Sequence, residues 1–348
     1  MDVEKSWRLQ NCVWEITLAC CFSCVHCGSG GGKARTGELT TKECLDVAGQ
    51  LADLGCRRVS LIGGEVFMRA DWARIVRALT DRGILTAIIT NGFLFTDKVV
   101  SQLKRVNVES VAVSLDGPEQ LHDQYRQKGS FARALSAIRV LTEQDIPVSV
   151  ITTLNAGNVT RLEEMYGILQ EFPIFAWQLQ ACSPMGNAGN GAVDFRFEQA
   201  EVIRFIADHR EEAPFRMIAA DNIGYYTKEE KILRGSRGRS CFHGCSAGLT
   251  SVGIDSVGNV RGCESMYSDR FTEGNLRKMS LREIWESPDA FSYNRKFQAE
   301  MLTGACAACA FGKYCAGGCR SYNYFVHGKL YESPGCARVM RRKDEGSK

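Results

Sequence analysis

Residues 13–27 read Val-Trp-Glu-Ile-Thr-Leu-Ala-Cys-Cys-Phe-Ser-Cys-Val-His-Cys. The first six are apolar and β-branched over a stretch too short for a helix, which predicts a strand, and that strand runs directly into four cysteines. The same order recurs along the chain. Short β-branched runs at residues 59–62, 86–90, 111–115, 148–153 and 176–180 are separated by helical patterns. The first intervening helix is signposted by Thr40 with Glu43 three residues on, a capping-box pattern, and by Gly55 as its stop. Helices at 71–82 and 130–144 end before Gly83 and Pro147, and another opens at Asn158 and runs to 170. Alternating β and α elements imply a parallel sheet covered by helices. The expected fold is therefore α/β, a six-strand partial (β/α) barrel of the TIM type.

In such barrels the reactive end lies at the C-terminal ends of the strands. After strand two comes Gly63-Gly64-Glu65, after strand three Asn91-Gly92, and after strand four Ser114-Leu115-Asp116-Gly117. Thr152 and Thr153 end strand five, and Gln178, Leu179 and Gln180 end strand six. Asn-Gly and Asp-Gly singly read as turns. Glycine and polar residues at every strand end instead suit a ligand lying across the open end of the sheet.

The chain has 348 residues, and 43 Lys+Arg against 40 Asp+Glu leave a net charge of +3, too weak a field to imply nucleic acid or an anionic membrane as partner. Hydrophobic residues at 45% and charged residues at 24% fit a globular protein and exclude disorder. The charged N-terminus lacks a secretory apolar region and no stretch reaches membrane-spanning length, so the expected location is the cytoplasm.

Sixteen cysteines in a reducing compartment call for a reason other than disulfides. Cys12, Cys20, Cys21, Cys24 and Cys27 open the chain; Cys241, Cys245, Cys263, Cys306, Cys309, Cys315, Cys319 and Cys336 close it; only Cys44, Cys56 and Cys182 lie between. With five His in the chain, all-thiolate sites are favoured, and zinc in four-thiolate knuckles stays open on spacing alone. Cys20, Cys24 and Cys27 have C-x3-C-x2-C spacing, three thiolates for a [4Fe-4S] cube whose fourth iron lacks a protein ligand. Cys21, Cys24 and Cys27 offer a ferredoxin-like register, but Gly28-Ser29-Gly30-Gly31-Gly32 replaces the continuation a ferredoxin needs. Nor is the glycine run ending at Lys33 a phosphate loop, because Cys27 stands at its first Gly position and Ala34 follows the Lys.

These residues resemble the radical S-adenosylmethionine (SAM) enzymes, whose barrel carries C-x3-C-x2-C after its first strand and Gly-Gly-Glu after its second. Within that superfamily the chain is most similar to members with a C-terminal SPASM domain, such as anaerobic sulfatase-maturating enzymes and peptide maturases. The resemblance implies a barrel over residues 1–235 and an auxiliary-cluster domain over 236–348. It implies that Ser114 and Arg126 hold the methionine carboxylate, that Gly63, Gly64 and Glu65 hold its amino group, that Asn91 belongs to the same cofactor site, and that Leu179 lies near the adenine. Val66 departs from the usual Pro after Gly-Gly-Glu. Gly258-x4-Cys263, Cys306-x2-Cys309-x5-Cys315-x3-Cys319 and Cys336 resemble the SPASM signature. By that resemblance two auxiliary [4Fe-4S] clusters are held, one by Cys241, Cys245, Cys263 and Cys319 and the other by Cys306, Cys309, Cys315 and Cys336.

The implied reaction cleaves SAM to a 5′-deoxyadenosyl radical, abstracts a substrate hydrogen and passes the remaining electron to a fully liganded cluster. A reducing partner such as flavodoxin or ferredoxin is implied too. Glu264 corresponds to an acidic base in the sulfatase-maturating relatives, and an exposed loop Glu is the plainer reading. The expected reaction is oxidative modification of a ribosomally made peptide or protein side chain by dehydrogenation or crosslinking. Only about a dozen residues precede strand one, leaving no room for a leader-recognition domain. Oxidation of a small alcohol or amino sugar stands as a second reading. Epimerisation with Cys182 as hydrogen-atom donor is a third, against Cys182 as a buried hydrophobe. A pure electron carrier would not need Gly63-Gly64-Glu65 or Arg126.

Overall fold

The computed structural model describes residues 7–234 and 241–339. One ten-stranded sheet organises it, in the order β10-β9-β8-β1-β2-β3-β4-β5-β6-β7. Strands β1 (Asn11–Thr17), β2 (Arg58–Gly63), β3 (Leu85–Thr90), β4 (Ser110–Ser114), β5 (Val148–Leu154), β6 (Ala176–Ala181) and β7 (Arg216–Ala219) run parallel in sequence order. The sheet curls into an open barrel. Six strands fall where the sequence places them, and β7 is a seventh.

Helices α1 (Thr41–Asp53), α2 (Trp72–Thr80), α3 (Asp97–Val106), α4 (Glu119–Tyr125), α5 (Ser130–Glu143), α6 (Leu162–Leu169), α7 (Gln199–His209) and α8 (Glu230–Arg234) connect the strands or follow them. The capping box on α1 is formed: Thr40 accepts from the Glu43 amide, and Glu43 accepts from the Thr40 amide at 2.7 Å. Buried Cys44, Val47, Ala48 and Leu51 make its inner stripe.

Alternation along each strand divides the molecule. Val59, Leu61, Ile88, Val111, Val113, Val148, Val150 and Trp177 are buried against the helices. The opposite faces, carrying Ser60, Ala87, Ala112, Ser149 and Ala176, line the barrel interior. Barrels of this kind are normally filled by large branched side chains. Here the small residues share the lining with Val13, Ile62, Ile89, Ile151 and Ile218, and a cavity remains among them.

Strand β8 (Ser251–Ile254) pairs parallel to β1, and β9 (Asn259–Arg261) and β10 (Gly274–Asn275) continue antiparallel. The C-terminal region therefore adds to the barrel sheet itself, so β1 has a backbone partner on each side. The expected boundary at 235/236 lies outside the described residues. Among the described residues no helix is long and apolar enough to cross a membrane.

Candidate active site

The cysteine loop is closed on itself. After β1, the Cys20 amide donates to the Gly32 carbonyl at 2.8 Å and the Gly32 amide to the Leu18 carbonyl at 3.0 Å. Glu38 anchors its base, accepting from the Thr17 hydroxyl at 2.9 Å and the Leu18 amide at 2.8 Å. Cys20, Cys24 and Cys27 line one cavity. Cys21 turns instead toward Cys20 and Asn91, whose side-chain Nδ2 lies 3.4 Å from the Cys21 sulfur and 3.8 Å from that of Cys20. The Gly31 amide donates to the Cys27 sulfur at 3.3 Å.

Gly63 and Gly64 are small for a packing reason. A Cβ at Gly63 would collide with the Thr17 carbonyl, and one at Gly64 with the carbonyls of Leu18 and Ala19. The β2 loop lies flat against the cysteine loop, with the Gly64 amide donating to Thr17 at 2.8 Å and the Glu65 amide to Ala19 at 2.7 Å. Glu65 is wholly buried, and its carboxylate accepts from the Thr90 hydroxyl at 2.9 and 3.0 Å, the Asn91 amide at 2.9 Å and the Phe67 amide at 3.3 Å. Burial pushes its pKa up to about 7 against these donors. Its carboxylate thus locks the end of β3 to the loop and is fully engaged by the protein.

Arg126, the residue that ends α4, reaches the same cavity. Its Nε donates to Asp116 Oδ2 at 2.6 Å, and His26 Nε2 sits 2.9 Å from the same oxygen. The other Asp116 oxygen accepts from the Thr153 amide at 2.9 Å. Burial raises the Asp116 pKa, but the Arg126 guanidinium and His26 outweigh it and hold the carboxyl well below the usual carboxylate range. Burial and Arg126 push His122 down to about 4, and its Nδ1 accepts from the Asp116 amide at 3.1 Å. Asp116 and His26 carried no assignment from the sequence. Both sit inside quoted motifs, but only the fold reveals that they meet.

Ser114 lines the cavity, whose volume is about 560 Å³. From β6 it is Gln178 and Gln180 that face it, with Gln180 Nε2 donating to the Thr153 hydroxyl at 3.1 Å. The Leu179 side chain, one residue out of phase, is buried on the opposite face among the helices, so β6 offers glutamines where the sequence reading named a leucine. Cys182 is buried and not among the cavity residues; burial raises its pKa to about 12.

Glu264 is buried, not exposed, and neither carboxylate oxygen has a hydrogen-bond partner. Burial, then the charge of Glu15, drive its pKa well up, against Arg261. Its neighbour Ser265 lines the cavity. The site therefore draws on the C-terminal region as well as the barrel.

The C-terminal thiols fall into groups. Cys306, Cys309, Cys315 and Cys336 line one small cavity, walled by Tyr225, Tyr226 and Phe311. Cys245, Cys263 and Cys319 are near enough to feel one another's charge. The Cys241 sulfur lies 3.6 Å from the Tyr226 hydroxyl and 3.8 Å from His243 Nε2. Among the described residues no three His, Cys, Asp or Glu converge tightly enough for a single metal ion. Four thiols around one cavity are the all-thiolate donor set of a [4Fe-4S] cluster.

A model of the Radical SAM superfamily matches residues 14–169, and one of an iron-sulfur cluster-binding domain, SPASM, matches residues 245–310. An AdoMet-dependent heme synthase of Methanosarcina barkeri is 30% identical over 336 residues, covering 93% of this chain and 95% of its own. The chain belongs to the radical SAM superfamily. It is a radical SAM enzyme, with SAM and iron–sulfur clusters as its cofactors. It is also 29% identical over 321 residues to the mycofactocin maturase MftC of Mycolicibacterium smegmatis, covering 90% of this chain and 78% of that one. Its fold matches Streptococcus suis SuiB bound to S-adenosylmethionine, with a TM-score of 0.77 at 18% identity, over 94% of this chain and 77% of that one. SuiB has also been solved with its precursor peptide SuiA.

Proposed function

We propose that this radical SAM enzyme oxidises a side chain of a ribosomally made peptide. The observation that carries the reading is the continuity between cavity and auxiliary region: Ser265 lines the cavity beside Glu264 and Cys263. The likeness to a mycofactocin maturase supports a peptide as substrate. When bound, SAM and its cluster supply a 5′-deoxyadenosyl radical, and the auxiliary clusters supply an acceptor for the electron left on the substrate.

The chain's own residues do the rest. Cys20, Cys24 and Cys27 hold the SAM-cleaving cluster, and Asn91 and the Gly31 amide steady the sulfurs. Arg126, its Nε committed to Asp116, turns the remainder of its guanidinium to the methionine carboxylate beside Ser114. The Gly63-Gly64 backbone takes the amino group, and Gln178 and Gln180 orient the nucleoside. Glu264, with two unpartnered oxygens, takes the substrate's second proton. Cys306, Cys309, Cys315 and Cys336 hold one auxiliary cluster; Cys245, Cys263 and Cys319, with Cys241, hold the other. A flavodoxin or ferredoxin delivers the electrons.

The heme synthase likeness favours a second reading, action on a porphyrin in heme synthesis. One experiment separates the two. The reconstituted enzyme is given SAM and dithionite with either a library of short ribosomal precursor peptides or Fe-coproporphyrin III. Loss of two hydrogens or formation of a crosslink in the peptide, matched by 5′-deoxyadenosine, supports the first; turnover of the porphyrin alone replaces it with the second.

A further inference from the structure

Arg320 is wholly buried, and among the described residues no carboxylate pairs with it. Arg261 and Arg126, by contrast, pair with Asp255 at 3.0 Å and with Asp116 at 2.6 Å. An arginine stays protonated in a protein, and a charge taken out of water without a partner is costly. Something held close by has to compensate it.

Its surroundings narrow the choice. Arg320 opens the helix Arg320–His327 directly after Cys319. One nitrogen, Nη1, donates to the carbonyl of Ala316, to that of Gly318 at 3.4 Å and to that of Leu330 at 3.1 Å. Asn323 Nδ2 donates to the Gly317 carbonyl at 2.7 Å. Ala316, Gly317 and Gly318 all have left-handed backbones, so the segment from Cys315 to Cys319 folds over the guanidinium. The rings of Tyr331 and Phe297 lie 4.5 and 5.3 Å from its central carbon. Left over are Nε and Nη2, both buried and without a partner. That edge is the fork with which Arg35 grips Glu15, at 3.1 and 2.9 Å.

The anions within reach are thiolates. The charge of Arg320 is felt by Cys245 and Cys319 of one thiol group and by Cys315 and Cys306 of the other. A four-thiolate [4Fe-4S] cluster is anionic and gains a further negative charge on reduction, and the charge around it helps set its potential.

We propose that Arg320 is the counter-charge shared by the two auxiliary clusters, holding their potentials high enough to accept the electron left on the substrate. The inference rests on the reading of the C-terminal thiols as cluster ligands. In the step it serves, the substrate carbon radical loses one electron, an oxidised auxiliary cluster gains it, and the proton goes to Glu264. Arg320 stabilises the added negative charge and exchanges no proton itself.

The test is an EPR-monitored redox titration of the full reconstituted chain carrying Cys20, Cys24 and Cys27 as Ala, so that only the auxiliary clusters give signals. Arg320→Met should lower both potentials by at least about 59 mV, a tenfold change in a one-electron equilibrium. Arg320→Lys, which keeps the charge, should lower them by less than half as much. Phe297→Glu sets a carboxylate over an intact Arg320 and should lower the potentials relative to Phe297→Gln, which has the same shape without the charge. That second pair decides the matter where Arg320→Met fails to load iron. Unmoved potentials in Arg320→Met, an equal fall in Arg320→Lys, or no difference between Phe297→Glu and Phe297→Gln overturns the role. About eight irons with unmoved potentials overturn Arg320 alone, whereas the absence of any [4Fe-4S] signal in the background protein overturns the cluster reading beneath it.

Discussion

The Nε of Arg126 stands 2.6 Å from Oδ2 of a completely buried Asp116, so the cation at the cavity wall is held by an anion with no exposure of its own. Removing one member of a buried pair strands the other, at a cost of about 3–5 kcal/mol. Asp116→Asn should lower the melting temperature and weaken SAM binding by at least about tenfold, read by calorimetry and equilibrium dialysis. Because the Asp116 pKa is depressed, its stabilisation is present above the unfolded value of about 3.9 and is lost as pH falls toward the folded value.

Glu65 has the opposite sign. Its folded pKa lies near 7 against an ordinary 4.5. The folded chain keeps a proton that the unfolded chain releases, so its contribution is fully present below about 4.5 and is lost as pH rises to about 7. That difference is worth roughly 3 kcal/mol. Urea unfolding of wild type and Glu65→Gln at pH 5 and pH 8 should show the Gln variant gaining about that much on the wild type at the higher pH. Parallel pH dependence in the two proteins would contradict the assignment.

Gly64→Ala pushes a methyl into the carbonyls of Leu18 and Ala19. The Cys20 loop must move, and the reconstituted protein should lose about four irons while the auxiliary sites keep theirs. The triple Cys20, Cys24 and Cys27 Ala variant should lose the same irons and all SAM cleavage. Cys241→Ala should cost less iron than Cys245→Ala, because the Cys241 sulfur faces Tyr226 and His243.

Glu264→Gln keeps the shape and removes the base. With iron content unchanged, product formation should fall by about 10²–10⁴ while substrate-triggered 5′-deoxyadenosine persists. Full product yield in that variant would end the role.

Periodicity carried much of the fold. Six strands and the Thr40–Glu43 cap were legible because each depends on neighbours in sequence. Strand β7 was not, since Arg-Met-Ile-Ala is too short to stand out and is defined by its pairing with β6. The parallel pairing of β8 with β1 joins residues some 240 apart, and no local pattern announces it. In the site, spacing marked the cysteines. Leu179, expected near the adenine, turns its side chain to the helix face, since one residue decides which face a side chain takes. Asp116 and His26 escaped because a buried ion pair is a relation between loops, and each residue alone looks like a turn Asp or a spare His.

Strand β1 is the stem of the cysteine loop, and β8 gives it a neighbour on its second side. Cut away after residue 234, the barrel would present β1 as a raw edge, open to pairing with any passing strand. The auxiliary region is thus a splint for the stem as well as a holder of thiols. Chimeras that exchange it between relatives must carry a β8 that fits the Asn11–Trp14 backbone, or the oxygen-sensitive loop will be mounted on an aggregating edge.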